Sequence, residues 1–256
     1  EMDRESGIAW LGLARVQRLL GHTEQATETL TRARRLLPDE DPSAAAESAL
    51  LCLDKGDLEG ATQHIDAASI RGEGAIVSYV RGNIAARQGH LRSALTYFDE
   101  AIQIDPTHVR ARLNRTSIHM ANEDAQSALD DAKVLLELAP GLALAKLRRA
   151  EANMMLSNWE EAKDDLEQIV EDAPHHHHAL TQLASCFMAM DRPEKAEAPL
   201  NEALRLAPDH TEAWHQRGLL YLDWAQEESA LNDFEAAVRL SLIHISEPTR
   251  RHSISY

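Results

Sequence analysis

The sequence is poor in cysteine and aromatic residues, and it contains no long apolar run. Its 256 residues include two cysteines, Cys52 and Cys186, and only 4% aromatic residues. Two cysteines so far apart predict no disulfide framework, which is typical of a reducing compartment. Because no run reaches about 18 apolar residues, we predict no insertion into a membrane.

Basic residues are also scarce. The chain has 26 lysines and arginines against 42 acidic residues, which gives a formal net charge of −16 at pH 7. Such a charge disfavours general nucleic-acid binding and favours basic or mixed protein partners. Several acid pairs, such as Asp130-Asp131 and Asp164-Asp165, are predicted to lie on a solvated helix face.

The motifs that usually carry catalysis are missing as well. The sequence has no phosphate-binding glycine loop, no CxxC pair, no HExxH and no nucleophile elbow. We therefore predict that the protein is not an enzyme and that it holds no cofactor.

A repeat of 34 residues is the feature that the sequence does contain. Alanine recurs at intervals of 33 to 35 residues, at Ala26, Ala61, Ala94, Ala128, Ala162, Ala196 and Ala230. Position 8 of the same register is also small in most copies, and proline closes five of them, because proline ends a helix. A period of this length predicts stacked helix–turn–helix units.

The most complete copy, Thr211 to Leu240, resembles a tetratricopeptide repeat: Trp214, Gly218, Tyr221, Ala230 and Phe234 stand at positions 4, 8, 11, 20 and 24. The resemblance implies an all-α, right-handed α-solenoid of about seven units, bacterial in type. The predicted repeats cover residues 7–40, 42–74, 75–108, 109–142, 143–176, 177–210 and 211–240. Each begins with a helix A and ends with a helix B.

The last residues differ from the repeats. Leu240 to Arg250 reads LSLIHISEPTR, and the string 240–256 resembles a translated sequencing adapter. We expect 241–256 to be non-native and the chain to be a fragment that also lacks its native start. A periplasmic location therefore stays open beside the cytoplasm.

Repeat 7 is expected to lack a cap, so two copies could associate end to end.

The family resemblance also implies where a ligand would bind, in a concave groove formed by helix A positions 2, 5, 9, 12 and 13. The predicted groove residues are Arg15, Arg18, Tyr79, Asn83, Arg87, Arg110, Asn114, Arg148, Glu151, Met154, Met155, His178, Met188 and His215. The N-terminal half of this set is basic and the C-terminal half is rich in methionine. That gradient suits an extended peptide with an acidic segment and an apolar anchor.

One subset resembles the carboxylate-clamp repeats that bind chaperone C-termini. Asn83, Asn114 and Arg148 lie in the clamp register, but Tyr79 and Leu144 stand where the clamp has lysines. The clamp is therefore not favoured.

Four consecutive histidines, His175, His176, His177 and His178, are the other candidate site. Imidazoles bind zinc, nickel or copper. Adjacent residues do not share a helix face, however, and no other ligand stands beside them at metal-binding spacing. We predict a solvated loop here and keep a metal site as the weaker hypothesis.

These observations favour a protein–protein interaction scaffold that binds an extended peptide or protein segment. Two alternatives remain open at this point. The chain could be the substrate-recruiting arm of a larger enzyme, such as a glycosyl- or sulfotransferase. It could also resemble the tetratricopeptide components of bacterial exopolysaccharide export systems.

Overall fold

Helices dominate the part of the chain that the structure, a computed structural model, describes: residues 2–38, 41–69 and 74–246. Within these ranges there are fourteen α-helices, one short 3-10 helix and no strand. The predicted all-α repeat architecture is confirmed. The non-native tail predicted over 241–256 lies largely outside the description, which ends at residue 246.

The first seven helices alternate between the predicted helix A and helix B. They are α1 (Met2–Leu19), α2 (Thr23–Leu36), α3 (Pro42–Asp54), α4 (Leu58–Ser69), α5 (Ala75–Arg87), α6 (Leu91–Ile104) and α7 (Val109–Ala121).

The alternation continues in the second half, where the odd-numbered helices again occupy the helix A positions. These helices are α8 (Ala125–Leu138), α9 (Ala143–Met155), α10 (Trp159–Asp172), α11 (His177–Ala189), α12 (Glu197–Leu206), α13 (Thr211–Asp223) and α14 (Glu227–Ser246). The last helix extends six residues past the predicted end of repeat 7. None of the helices in the described ranges combines the length and the apolarity that crossing a membrane requires.

The chain divides into two compact units, Glu1–Ile118 and His119–Tyr256. In the first unit α1 packs on α2, α3 on α4 and α5 on α6, and the A helices α1, α3 and α5 touch in sequence. In the second unit α9 packs on α10, α11 on α12 and α13 on α14. Each unit therefore repeats one helix pair.

Small residues allow the two helices of a pair to approach closely. Every alanine of the 34-residue ladder is at most 2% exposed. At position 8 the reason for a small residue is direct: a Cβ atom added to Gly218 would lie 2.8 Å from Phe234 Cε1. Gly82 faces Phe98 in the same way, so a glycine on helix A accommodates a phenylalanine on helix B.

The turn between helix A and helix B has the same geometry in all seven copies. Position 15 has a positive φ each time, in Gly21, Gly56, Gly89, Glu123, Ser157, Asp191 and Ala225. In the last copy the Gln226 N–H donates to the Tyr221 carbonyl at 2.8 Å, the six-to-one hydrogen bond that ends a helix in a left-handed residue. Three of the seven positions carry the glycine that this conformation favours.

Candidate functional site

The predicted groove residues lie on the A helices α1, α5, α7, α9, α11 and α13. The two units place them in different surroundings.

In the first unit, two of the four predicted arginines are paired with acids of the chain itself. Arg18 Nε lies 2.5 Å from Glu47 Oε1, and its NH1 group lies 3.0 Å from Asp54 Oδ2. Arg15 Nε lies 3.2 Å from the second oxygen of the same Glu47, whose side chain is 2% exposed. These arginines neutralise a buried carboxylate, so little of their charge is available to a ligand.

Tyr79 and Asn114 are buried rather than presented on a surface. Tyr79 is 5% exposed, and its ring centroid lies 4.9 Å from that of His108. Asn114 Nδ2 donates to Asn83 Oδ1 at 2.6 Å. These contacts join α5 to α7 and to His108, which directly precedes α7. Arg87 remains exposed and Arg110 half-buried, so these two carry the accessible positive charge of the predicted basic half.

A second set of ion pairs connects helix A to helix B within a repeat. Arg149 donates to both oxygens of Asp165, at 2.7 and 2.6 Å. Arg217 and Asp233 form the same bidentate pair two repeats later, at 2.7 and 2.8 Å. Asp165 is 2% exposed and Asp233 3%. The prediction that the acid pairs are solvated is thus wrong for Asp165, because the helix A arginine draws that carboxylate inward. It is also wrong for Asp131, which is 4% exposed.

The second unit brings several predicted residues into one polar cluster, which joins α9 to α11. Glu151 Oε2 accepts a hydrogen bond from Arg148 NH1 at 2.8 Å, and Oε1 accepts one from Gln182 Nε2 at 3.3 Å. The same Oε1 lies 3.5 Å from His178 Nε2. Burial raises the pKa of Glu151, but the contacts with His178 and Arg148 outweigh it, so the pKa is lowered overall. The hydrogen bond to Glu151 raises the pKa of His178.

The histidine tract does not form one solvated loop, because α11 begins within it. His175 is exposed, whereas His176 is the N-cap of α11 and its Nδ1 accepts the Ala179 N–H at 3.1 Å. His177 and His178 lie in the first turn, and the ring of His177 meets that of His210 edge-on at 5.0 Å.

Two residues that the sequence analysis missed complete this region. His210 is the N-cap of α13, and Glu212 lies in the first turn of that helix. One ligand atom from each of His178, His210 and Glu212 lies within 4.8 Å of the other two. The repeat period contained the evidence, because His210 and Glu212 follow His176 and His178 by 34 residues.

Apolar side chains are also exposed on A helices of the second unit, on α9, which carries Glu151 of the polar cluster, and on α13. Met155 on α9 is 42% exposed, and Leu219 and Leu222 on α13 are 37% and 53% exposed. Met154 and Met188 are half-buried and His215 is exposed. We call Met155, Met188, Leu219 and Leu222 the apolar A-helix surface.

Comparison with known families gives three matches, all to models described as tetratricopeptide repeat. They cover residues 154–217, 75–108 and 211–244. No curated protein matches the chain.

Solved structures with a similar fold are numerous. One, from a study of Pseudomonas aeruginosa pilF, has a TM-score of 0.69 at 17% identity and covers 83% of this chain and 97% of its own. A tetratricopeptide repeat protein from Parabacteroides merdae has a TM-score of 0.60 at 18% identity, with 94% of both chains covered. YrrB, described as a tetratricopeptide repeat protein with an unusual peptide-binding site, has a TM-score of 0.56 at 18% identity and covers 78% of this chain and 95% of its own.

Proposed function

Because the chain is a tetratricopeptide repeat protein, we propose that it is a non-catalytic interaction scaffold that binds an extended peptide or protein segment. Proteins of this family typically serve as scaffolds, and similar structures include a protein described by its peptide-binding site. The proposal concerns the A-helix face of the second unit, where the polar cluster and the apolar A-helix surface occur together.

The juxtaposition of these two kinds of surface is the observation that carries the proposal. Methionine and leucine side chains are exposed here. A partner that covers them lowers the free energy of the complex by about 25 cal/mol for each Å² of apolar area removed from water. Met is also adaptable in shape. Polar groups beside such a patch orient a ligand and exclude alternatives, which is the usual division of roles in a binding site.

The bound segment is proposed to be apolar at its anchor, with basic or mixed charge around it. The chain has a net charge of −16, and Arg15 and Arg18 are occupied by Glu47. In the first unit, taken by itself, the exposed Arg87 and the half-buried Arg110 favour contact with acidic groups. Charges of this kind mainly set the association rate and its salt dependence.

Selection of a peptide from a random displayed library on the full chain tests the proposal. Replacing Met155 and Leu222 by Glu places charge on the apolar A-helix surface. These changes should lower the affinity for the selected peptide at least about tenfold. Leu138→Glu and Ile104→Glu are matched controls, because these side chains are 39% and 51% exposed but lie on helix B. If the controls weaken the peptide as much as M155E and L222E do, the A-helix face is not the binding surface.

We further propose that copies of the chain associate end to end. Leu231 and Val238 on α14 are both 59% exposed, and their spacing of seven residues places them on one stripe. A second stripe contains Leu13 and Val16 on α1 and Leu20 directly after it, and these side chains are 44%, 52% and 65% exposed. Two different apolar stripes on the first and last helices suit a head-to-tail contact.

A further inference from the structure

We propose that His178, His210 and Glu212 form a binding site for a divalent transition-metal ion of the zinc class. The three side chains come from the first turns of α11 and α13, which are the A helices of consecutive repeats. Two imidazoles and one carboxylate are a donor set that zinc accepts with one coordination position left open. The site does not depend on peptide binding by the scaffold.

The distances allow coordination after small side-chain rotations. The ligand atoms lie within 4.8 Å of one another, whereas two donors on a tetrahedral zinc lie about 3.3 Å apart, given metal–ligand bonds of about 2.0–2.2 Å. Glu212 is exposed, so its carboxylate is free to rotate toward the two imidazoles.

An unpaired buried atom supports the proposal independently of this geometry. His210 Nε2 is inaccessible to solvent and has no hydrogen-bond partner among the described residues. A buried polar atom without a partner is uncommon and calls for a reason, of which an ion is one. The side chain of His210 makes no hydrogen bond to cap α13, so capping does not account for a histidine here.

The local charges are compatible with a cation. The first turns of α11 and α13 carry partial positive charge, which opposes a metal ion. Glu212 supplies a carboxylate to the ligand set, and Glu151 brings a second carboxylate within 3.5 Å of His178 Nε2. The ring of His177, 5.0 Å from that of His210, adds an imidazole beside the site.

The repeat itself explains why the site occurs once among the described A helices. Positions 34 and 2 of the register are His210 and Glu212 at α13, and the preceding helix offers His176 and His178. At α9 the corresponding residues are Leu142 and Leu144, which cannot bind a metal. Because α11 and α13 belong to neighbouring repeats, a bound ion would bridge these repeats and stabilise the second unit by mass action.

Titration of the full chain with zinc chloride tests the site, with calorimetry for stoichiometry and thermal unfolding for stability. The chain has 13 histidines, so weak binding of further zinc ions is expected. The site is therefore tested by comparing variants with the parent. His210→Asn keeps a good N-cap residue, and Glu212→Gln changes an exposed side chain. Each should weaken the tightest zinc equivalent at least about tenfold, since even loss of an outer partner of a ligand can do so.

His90→Asn is the matched control. His90 is also a helix N-cap without a side-chain capping bond, and it is exposed. H90N should leave zinc affinity and the zinc-induced rise in unfolding temperature unchanged. Cobalt(II) should give the visible absorption of a low-coordinate ion in the parent and lose it in H210N. The proposal is overturned if zinc at about 0.1 mM does not bind, or if H210N and E212Q bind it as H90N does.

Discussion

Ala225 occupies a backbone conformation that alanine seldom adopts. Its φ is +53°, and it lies at turn position 15, where three other copies have glycine. An L-residue in the left-handed region costs about 1–2 kcal/mol, part of which glycine recovers despite its greater flexibility in the unfolded chain. We therefore expect Ala225→Gly to raise the free energy of unfolding by up to about 1 kcal/mol.

Gly89→Ala is the reverse change and serves as the control. Gly89 has a φ of +79°, and an added Cβ would meet no atom within 4 Å, so its cost is conformational alone. G89A should lower the free energy of unfolding by about 1 kcal/mol, as measured by urea or thermal unfolding. Stabilisation by A225G together with destabilisation by G89A would confirm that the positive φ determines the cost. Destabilisation by A225G would contradict it.

Turn position 15 shows how far single residues predict the backbone conformation in this sequence. Glycine at 21, 56 and 89 predicts a turn by itself, whereas Glu123, Ser157, Asp191 and Ala225 adopt the same positive φ without a glycine. The hydrogen bonds that end helix A impose the conformation, and these depend on the packing of the pair. Similarly, register places Tyr79 on helix A, but only the position of His108 and Phe98 shows that it is buried.

At the scale of the helix pair, the Arg149–Asp165 ion pair connects α9 to α10. The Asp165 side chain is 3% exposed and the Arg149 side chain 34%. Arg149→Met leaves the buried carboxylate without its cation, which costs several kcal/mol in a fully buried pair. Because Arg149 is partly exposed, we expect a smaller loss in the free energy of unfolding, about 1–3 kcal/mol.

Arg205→Met is a matched control, because Arg205 forms a bidentate pair with Glu202 at 2.7 and 2.6 Å on the exposed side of α12. That change should leave the free energy of unfolding almost unchanged, because exposed ion pairs contribute little to stability. Urea unfolding of both variants gives the comparison. Adding Asp165→Leu to R149M should recover part of the loss, and an R149M protein as stable as R205M would mean that Asp165 is solvated in solution.

These pairs could have been predicted from the repeat. Arginine stands at position 7 in Arg149 and Arg217, and aspartate at position 23 in Asp165 and Asp233, so the pair recurs at a fixed separation of 16 residues. Treating adjacent acids as one solvated pair concealed this pattern. His210 and Glu212 were not predicted for a related reason: they lie outside the histidine tract, and only the 34-residue period relates them to His176 and His178.

At the scale of the whole chain, the 34-residue period predicts the number, order and pairing of the helices, because small residues at fixed positions determine how helix A meets helix B. It does not predict which exposed faces are used. That depends on side chains such as Leu222 and Met155, which vary between repeats without affecting the fold. Identity of 15–20% to similar structures reflects the same separation of packing from surface.

The proposed head-to-tail contact leads to the last prediction, in which the full chain is compared with Val16→Glu and Leu231→Glu. Val16 lies on the α1 stripe and Leu231 on the α14 stripe. Sedimentation velocity of the parent should show a mass that grows with concentration. Either substitution alone should reduce it, because each places a charge in an apolar contact, whereas Ile104→Glu, at a side chain that is 51% exposed, should not.

Mixing the two variants distinguishes the possible geometries. In a head-to-tail contact, V16E still offers an intact α14 stripe and L231E an intact α1 stripe, so a mixture should form a dimer but no longer assembly. If α14 instead paired with α14 of a second copy, V16E alone would dimerise and mixing it with L231E would add nothing. A parent protein that remains monomeric at every concentration would contradict self-association through either stripe.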